Sequence, residues 1–337
     1  MTAEKRLAEY RRKIEELITA INTHIVGHES ATRQIVAALL TRGHVLLEGP
    51  PGTGKTLFAQ IVAKLIGGEF VRIQFVPDMM PSDIIGGFDP VSRQIKLGPI
   101  SKANIALVDE INRAGPKTQA AMLQIMGERA ISLEGVVYPL PDPFFVLATE
   151  NPIEEEGTYD LPVAQLDRFL LKIWMGFLDI KGLKRLCLDS RNYYEFQKRI
   201  LSEIHPAIDL RTICEIYDFV GENVSVTEEI ADYATRLIYA SRPQNFKECG
   251  INGEDFKDDV WIGLSDRVAP FTIETAKRVA FLKERDYIMP SDIKEIAHGV
   301  FDHRIVLTLK GRSKGKIRDL PREREFVNEL LIKVTPQ

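Results

Sequence analysis

Apolar residues at Leu7, Tyr10, Ile14, Leu17, Ile18 and Ile21 lie on one face at helical spacing, which predicts an amphipathic helix over residues 3–22. The segment Ile25-Val26-Gly27-His28-Glu29 breaks that period, and a second helix is expected to run to about Leu40. From Val45 to Trp174 the pattern changes. Short apolar runs at 45–47, 70–76, 105–108, 144–149 and 169–174 alternate with helical stretches. Such alternation predicts βαβ units, hence a parallel sheet with helices on both faces. Two stretches interrupt it. Residues 77–99 are rich in Pro, Gly and Asp and contain a hairpin pattern, GGFDPVSRQIKLG; residues 127–143 contain a second, with Glu134-Gly135 at its turn. After Phe177 the strand pattern stops and helical periodicity takes over at 181–203, 209–222, 227–241, 271–285 and 291–300, with Ser291-Asp292 as an expected N-cap after Pro290. The stretch Lys247–Asp259 reads as a surface loop. The expected architecture is an α/β domain over residues 1–177 and a smaller all-α domain over 178–337.

Composition narrows the class. The chain has 337 residues, of which 45% are hydrophobic and 27% charged, as in water-soluble globular domains. A formal net charge of −4 argues against a globally basic nucleic-acid binder. Cys187, Cys214 and Cys249 are far apart, form no zinc spacing, and are expected to be buried free thiols in a reducing cytoplasm. The opening MTAEKRLAEY lacks the apolar core of a secretory signal, and the apolar runs are too short to span a membrane. The histidines are scattered and suggest no metal cluster.

The decisive chemistry is Gly49-Pro50-Pro51-Gly52-Thr53-Gly54-Lys55-Thr56. It follows a strand pattern (His44–Glu48) and opens a helical one that includes Leu57, Ile61, Val62 and Leu65. Glycines let the backbone wrap an anion and aim N–H groups at phosphate oxygens. A helix N-terminus adds a favourable dipole. In this pattern the lysine reaches the β- and γ-phosphates of ATP, and the threonine hydroxyl can ligand Mg²⁺. A second buried strand, Ile105-Ala106-Leu107-Val108, ends in Asp109-Glu110. A carboxylate at that tip can hold Mg²⁺ opposite Thr56, and its neighbour Glu110 can deprotonate an attacking water.

Three further positions have two readings each. The strand Phe144–Thr149 runs into Glu150-Asn151-Pro152. If it lies between the strands of the phosphate loop and of Asp109, Asn151 faces the γ-phosphate; otherwise it is a turn residue. Arg168, before the last strand, either reaches a neighbouring subunit's phosphate or pairs on the surface with Asp167 or Asp160. Arg267 opens a helix, where a cation opposes the dipole, so it either meets an anion or is simply exposed. The run Lys310, Arg312, Lys314, Lys316, Arg318 has no interleaved aromatics and reads as a solvated loop.

Taken with IVGHE (25–29), QFVPDMMPSDIIGGFDP (74–90), ALVDEINRAGPKTQAAMLQIM (106–126), YPLPDPFFVLATENPIEEEGTYDLPVAQLDRF (138–169) and RDYIMPSDIKEIAHGVFDHRI (285–305), the chain resembles the MoxR family of AAA+ ATPases, in the group with an insert in helix 2. The resemblance implies a parallel-sheet P-loop NTPase core with a helical lid. It also implies ATP/ADP and Mg²⁺ as ligands, a hexameric ring, a protein client, and a partner containing a von Willebrand factor A domain. It makes Lys55 and Thr56 the Walker A pair, Asp109 and Glu110 the Walker B pair, Asn151 sensor 1, Arg168 the arginine finger and Arg267 the sensor 2 arginine. Val26 and Gly27 fall where such proteins contact adenine, and both hairpins would face a central pore.

Three positions depart from the family pattern: Glu150 in place of glutamine, Asp266 in place of proline, and Gly115 in place of a common proline. Glu150 adds charge near the γ-phosphate, and Asp266 is placed to pair with Arg267. The expected function is therefore an ATP-driven remodeller that matures clients or helps insert a metal cofactor. The alternatives are a nucleic-acid-stimulated motor and a nucleotide switch with little hydrolysis.

Overall fold

The computed structural model describes residues 3–151, 157–188, 201–249, 251, 256, 258–311 and 321–336. It divides into two compact units, Met1–Phe169 with Ile173–Tyr217, and Leu170–Lys172 with Asp218–Gln337.

The first unit opens with α1 (Ala3–His24) and α2 (Glu29–Leu40). The stripe read from the sequence is the buried face of α1: Tyr10, Ile14, Leu17, Ile18 and Ile21 are all inside. Then follow β1 (His44–Glu48), α3 (Lys55–Ile66), β2 (Phe70–Gln74), α4 (Pro81–Ile85), β3 (Gly86–Asp89), β4 (Gln94–Leu97) and β5 (Ile105–Asp109). Next come α5 (Pro116–Glu128), β6 (Ala130–Leu133), β7 (Val136–Pro139), β8 (Phe145–Glu150), α6 (Val163–Leu166), β9 (Phe169–Trp174) and α7 (Ile180–Leu188). The main sheet has the order β2-β5-β8-β1-β9, with β8 hydrogen-bonded in parallel to both β5 and β1. β1, β5 and β8 read as near-continuous apolar runs because helices cover both faces. On one face Leu46, Ala106, Val108, Val146 and Ala148 pack with Met122, Leu123 and Met126 of α5. Helix α3 packs on β5 and β8, and α1 packs on α3.

Both inserted hairpins form. β3 pairs antiparallel with β4, and β6 with β7. The second turns through Glu134 and Gly135, both at positive φ (49° and 78°), the geometry of a two-residue primed turn.

His44 joins β1 to its neighbours from inside. Its Nδ1 accepts the Val146 N–H at 3.1 Å, so Nε2 carries the ring proton and donates to Met126 O, also at 3.1 Å. Complete burial holds this imidazole neutral, its pKa lowered to about 4.

Helix α8 (Leu210–Asn223) follows, and then α9 (Glu228–Ala240), β10 (Val260–Ile262), α10 (Val268–Leu282), α11 (Pro290–Phe301), β11 (Val306–Leu307) and α12 (Arg322–Lys333). The sequence break was expected after Phe177, but α7 and the chain to Tyr217 group with the first unit. The reason is local contact: the Ala207 N–H donates to Leu65 O at 2.7 Å, and Tyr10 OH donates to Glu215 at 3.1 Å. Among its described residues the second unit is helical, with one two-stranded ribbon, β10–β11. Helix α11 starts earlier than read. Its N-cap is Met289, whose N–H donates to Asp292 at 2.8 Å, while Arg285 also holds that buried carboxylate at 2.6 Å. The thiols are not buried as expected: Cys187 is exposed on α7, and Cys214 and Cys249 are half-buried. Most of the basic run, and part of the Lys247–Asp259 loop, lie outside the described residues; Lys310 pairs with Asp258 at 2.8 Å. Among the described residues no helix is long and apolar enough to cross a membrane.

Candidate nucleotide site

Residues 49–54 leave β1 and enter α3 through two left-handed glycines, Gly52 (φ 80°) and Gly54 (φ 83°). Gly54 is the N-cap of α3, so the first free N–H groups of the helix face the hollow of the loop. Gly49 is required for a different reason: a Cβ there would stand 2.1 Å from the Met175 carbonyl oxygen. The loop is braced from within, Thr53 Oγ1 donating to Pro50 O at 3.0 Å. The Lys55 ammonium donates to Gly49 O at 2.6 Å and Pro50 O at 2.8 Å, which keeps it at the loop. Pro51 is exposed at the loop's outer side, and Leu57 lies in the first turn of α3.

The strand tips supply the side chains. Asp109 is 4% exposed. Its carboxylate accepts from Thr149 Oγ1 at 2.6 Å, Arg72 Nη2 at 2.7 Å and Thr56 Oγ1 at 3.0 Å. Because the Thr56 proton points to Asp109, the hydroxyl lone pairs remain for a metal. A hydroxyl and a carboxylate oxygen are hard donors of the kind Mg²⁺ takes alongside water and phosphate. Residue Glu110 follows in the left-handed region (φ 55°, ψ 53°), its N–H donating to Thr149 Oγ1 at 2.9 Å. Its carboxylate is partly exposed and is held by Gln74 Nε2 at 2.8 Å and Arg113 Nε at 3.0 Å.

The sheet order meets the condition set for Asn151: β8 does lie between β1 and β5. Asn151 is buried at the end of that strand, and its carbonyl accepts from Asn112 Nδ2 at 3.2 Å. Glu150 comes one residue after Thr149, so strand alternation sends it to the opposite face from Asp109. Residues 152–156 lie outside the described part.

Arg168 is exposed and, among the described residues, forms neither of the ion pairs considered for it. Its guanidinium lies over α5, where a Cβ on Gly127 would meet Nη1. Val26 and Gly27 sit between α1 and α2, Gly27 at φ 75° and close against Leu178. Arg267 stands at the N-cap of α10 in the second unit, exposed. Asp266 does not take it: that carboxylate pairs with Arg242 at 2.5 Å. Gly115 caps α5 with φ −62°, a value proline shares, so no conformational demand explains the glycine.

Sequence reasoning missed Arg72, Gln74, Arg113, Thr149 and His28. Arg72 and Gln74 are the polar alternates of β2, and Thr149 is the one hydroxyl in an apolar strand; both were visible as exceptions to a pattern. His28 is half-buried beside Thr53, its ring edge-on to Phe58 at 6.5 Å, and burial pushes its pKa down.

A family model, "ATPase family associated with various cellular activities", matches residues 44–171, and an AAA lid domain model matches 257–325. Chaperone MoxR1 of Mycobacterium tuberculosis is 40% identical over 308 residues, covering 90% of this chain and 78% of that protein. The chain belongs to the MoxR family of AAA+ ATPases. Protein MoxR of Methylorubrum extorquens is similar at 31% identity, covering 89% of this chain and 90% of its own. Among solved structures, a Cytophaga hutchinsonii chain assigned as an ATPase superposes with a TM-score of 0.85 at 35% identity, covering 99% of this chain and 98% of that one. As a MoxR-family AAA+ protein, the chain is a nucleotide-binding ATPase of a chaperone family. The parallel five-stranded sheet with flanking helices and the helical second unit are those the resemblance implied.

Proposed function

We propose that this MoxR-family ATPase hydrolyses Mg²⁺-ATP at a site shared between subunits of a hexameric ring and uses the cycle to remodel or mature client proteins. The observation that carries the reading is the junction of Thr56 with Asp109 at 3.0 Å, with the partly exposed Glu110 one residue further on. The loop N–H groups and Lys55 bind the phosphates. Thr56 and Asp109 would hold Mg²⁺, which neutralises charge on the phosphates when bound. Glu110 accepts the proton of the attacking water, and Asn151 orients that water. Arg168, exposed and without a carboxylate partner among the described residues, is free to reach a neighbouring subunit's γ-phosphate. Arg267 acts from the lid, and Val26 and Gly27 border the adenine. A von Willebrand factor A domain partner, metal-cofactor insertion as one form of client maturation, and a cytoplasmic location complete the proposal.

One observation favours a second reading, a nucleotide switch with slow basal turnover. Both Gln74 and Arg113 hold the Glu110 carboxylate, and a base engaged twice is a poor proton acceptor until those contacts loosen.

ATP turnover per subunit, measured across protein concentration with Glu110→Gln as the reference, separates them. The remodeller reading expects a rate that rises with concentration and falls about a hundredfold or more in the variant. Flat, negligible turnover with intact ATP binding would contradict it and favour the switch.

A further inference from the structure

Arg72 has no part in the phosphate loop, in the strand tip that carries Asp109 and Glu110, or in the arginine roles above, yet it makes a short contact to the most buried carboxylate of the site. It lies on β2, one of the two edge strands of the main sheet, in register with Leu107 of β5. Strand alternation puts Arg72, Gln74, Leu107 and Asp109 on one face, so the guanidinium reaches diagonally along the sheet to Asp109 Oδ2 at 2.7 Å. The same Nη2 donates to Gln74 Oε1 at 3.1 Å. Thr149 and Thr56 donate to Oδ1 at 2.6 and 3.0 Å. The carboxylate is thus surrounded by donors, and Arg72 is the only one of them with a charge.

A carboxylate this buried requires a compensating cation. With Mg²⁺ held by Thr56 and Asp109, the ion would supply that charge in place of Arg72. Oδ2 then has two claimants, and the guanidinium and the dication repel each other. We infer that Arg72 is a resident counter-cation that holds Asp109 in the metal-free protein and yields as metal loads, and so sets the Mg²⁺ concentration that nucleotide binding requires. The inference rests on Thr56 and Asp109 being the metal site.

The test is a Mg²⁺ titration of a fluorescent ATP analogue bound to the full-length protein, with thermal unfolding followed in EDTA and in excess Mg²⁺. Arg72→Met should lower the half-saturating Mg²⁺ concentration about tenfold, because a like charge is removed next to the metal. It should also unfold at a lower temperature than wild type in EDTA, with the gap closing when Mg²⁺ and nucleotide are added. Arg72→Gln keeps a donor without the charge and carries the same expectation, so a poorly folding Arg72→Met leaves the test intact. Arg72→Lys keeps the charge and should stay near wild type. An unchanged or raised half-saturating Mg²⁺ concentration in Arg72→Met and Arg72→Gln would overturn the inference. Thr56→Val distinguishes the two levels. If it leaves the Mg²⁺ dependence intact, the metal-site reading has failed; if it abolishes the dependence while the Arg72 variants change nothing, only the role of Arg72 has failed.

Discussion

The Gly49–Thr56 loop and the strand-tip cluster meet where Thr56 donates to Asp109 but are built differently. The loop, Gly49–Thr56, is local: its shape comes from left-handed glycines and from contacts among neighbours such as Thr53 to Pro50. The cluster is assembled from a distance. Arg72, Asp109 and Thr149 come from three strands, and only the sheet order β2-β5-β8 brings Arg72 and Thr149 within 3 Å of the Asp109 carboxylate. A change in the loop should therefore act on its own backbone, while a change in the cluster should be felt through strand pairing and buried charge.

The largest effect is expected where the loop touches something distant. Gly49→Ala places a methyl against the Met175 carbonyl at 2.1 Å, and neither backbone can yield without moving β1 or β9. Loss of nucleotide binding and about 3 kcal/mol of stability should follow, read by chemical denaturation and by nucleotide titration. Intact binding would mean that the loop tolerates displacement, and the contrast with the cluster would weaken.

The alignment of β1 with β8 can be tested by acid. His44 is buried neutral with a pKa of about 4, against about 6.5 when unfolded. Its contribution is complete above the unfolded value and is lost as pH falls from about 6.5 to about 4, because only the unfolded chain accepts the proton readily. The loss amounts to roughly 3 kcal/mol. Urea unfolding across that range should show a steeper decline for wild type than for His44→Gln, whose side chain does not titrate. Equal slopes would place the acid sensitivity elsewhere.

Thr149→Val keeps the shape and removes one donor from a buried carboxylate, along with the acceptor of the Glu110 N–H. A loss of about 2 kcal/mol is expected, with nucleotide affinity in the absence of metal little changed. The smallest effect is a gain. Gly115→Pro suits φ −62°, and its predecessor Ala114 is already extended at ψ 153°. Stability should rise by about 0.5 kcal/mol through the unfolded chain, without altering turnover.

This contrast also explains what the sequence revealed. The course of the loop was legible, because its glycines and the strand and helix it joins follow one another in the sequence. So were the five strands, both hairpins and the pair Asp109-Glu110, since each is a local pattern. Asn151 was legible only conditionally, because its meaning depended on β8 falling between β1 and β5. Arg72 and Gln74 stood out as polar alternates of β2, and Arg113 as a charge after β5, but their roles did not, because a polar side chain looks the same in sequence whether it faces water or a carboxylate. Asp266 misled for a related reason: adjacency to Arg267 suggested a pair, but Arg242 lies nearer in space. The division near Tyr217 was hidden too, because periodicity shows a helix and not the unit on which it packs.

The central claim, a site completed by a neighbouring subunit, is tested most directly by mixing two inactive variants. Glu110→Gln keeps Arg168, and Arg168→Ala keeps Glu110. Each alone should show little ATP turnover while still binding nucleotide. Mixed in equal amounts, they should recover a substantial part of the wild-type rate, because some interfaces then pair an intact Glu110 with an intact Arg168. Mixed rings with no more turnover than either variant alone would contradict the account.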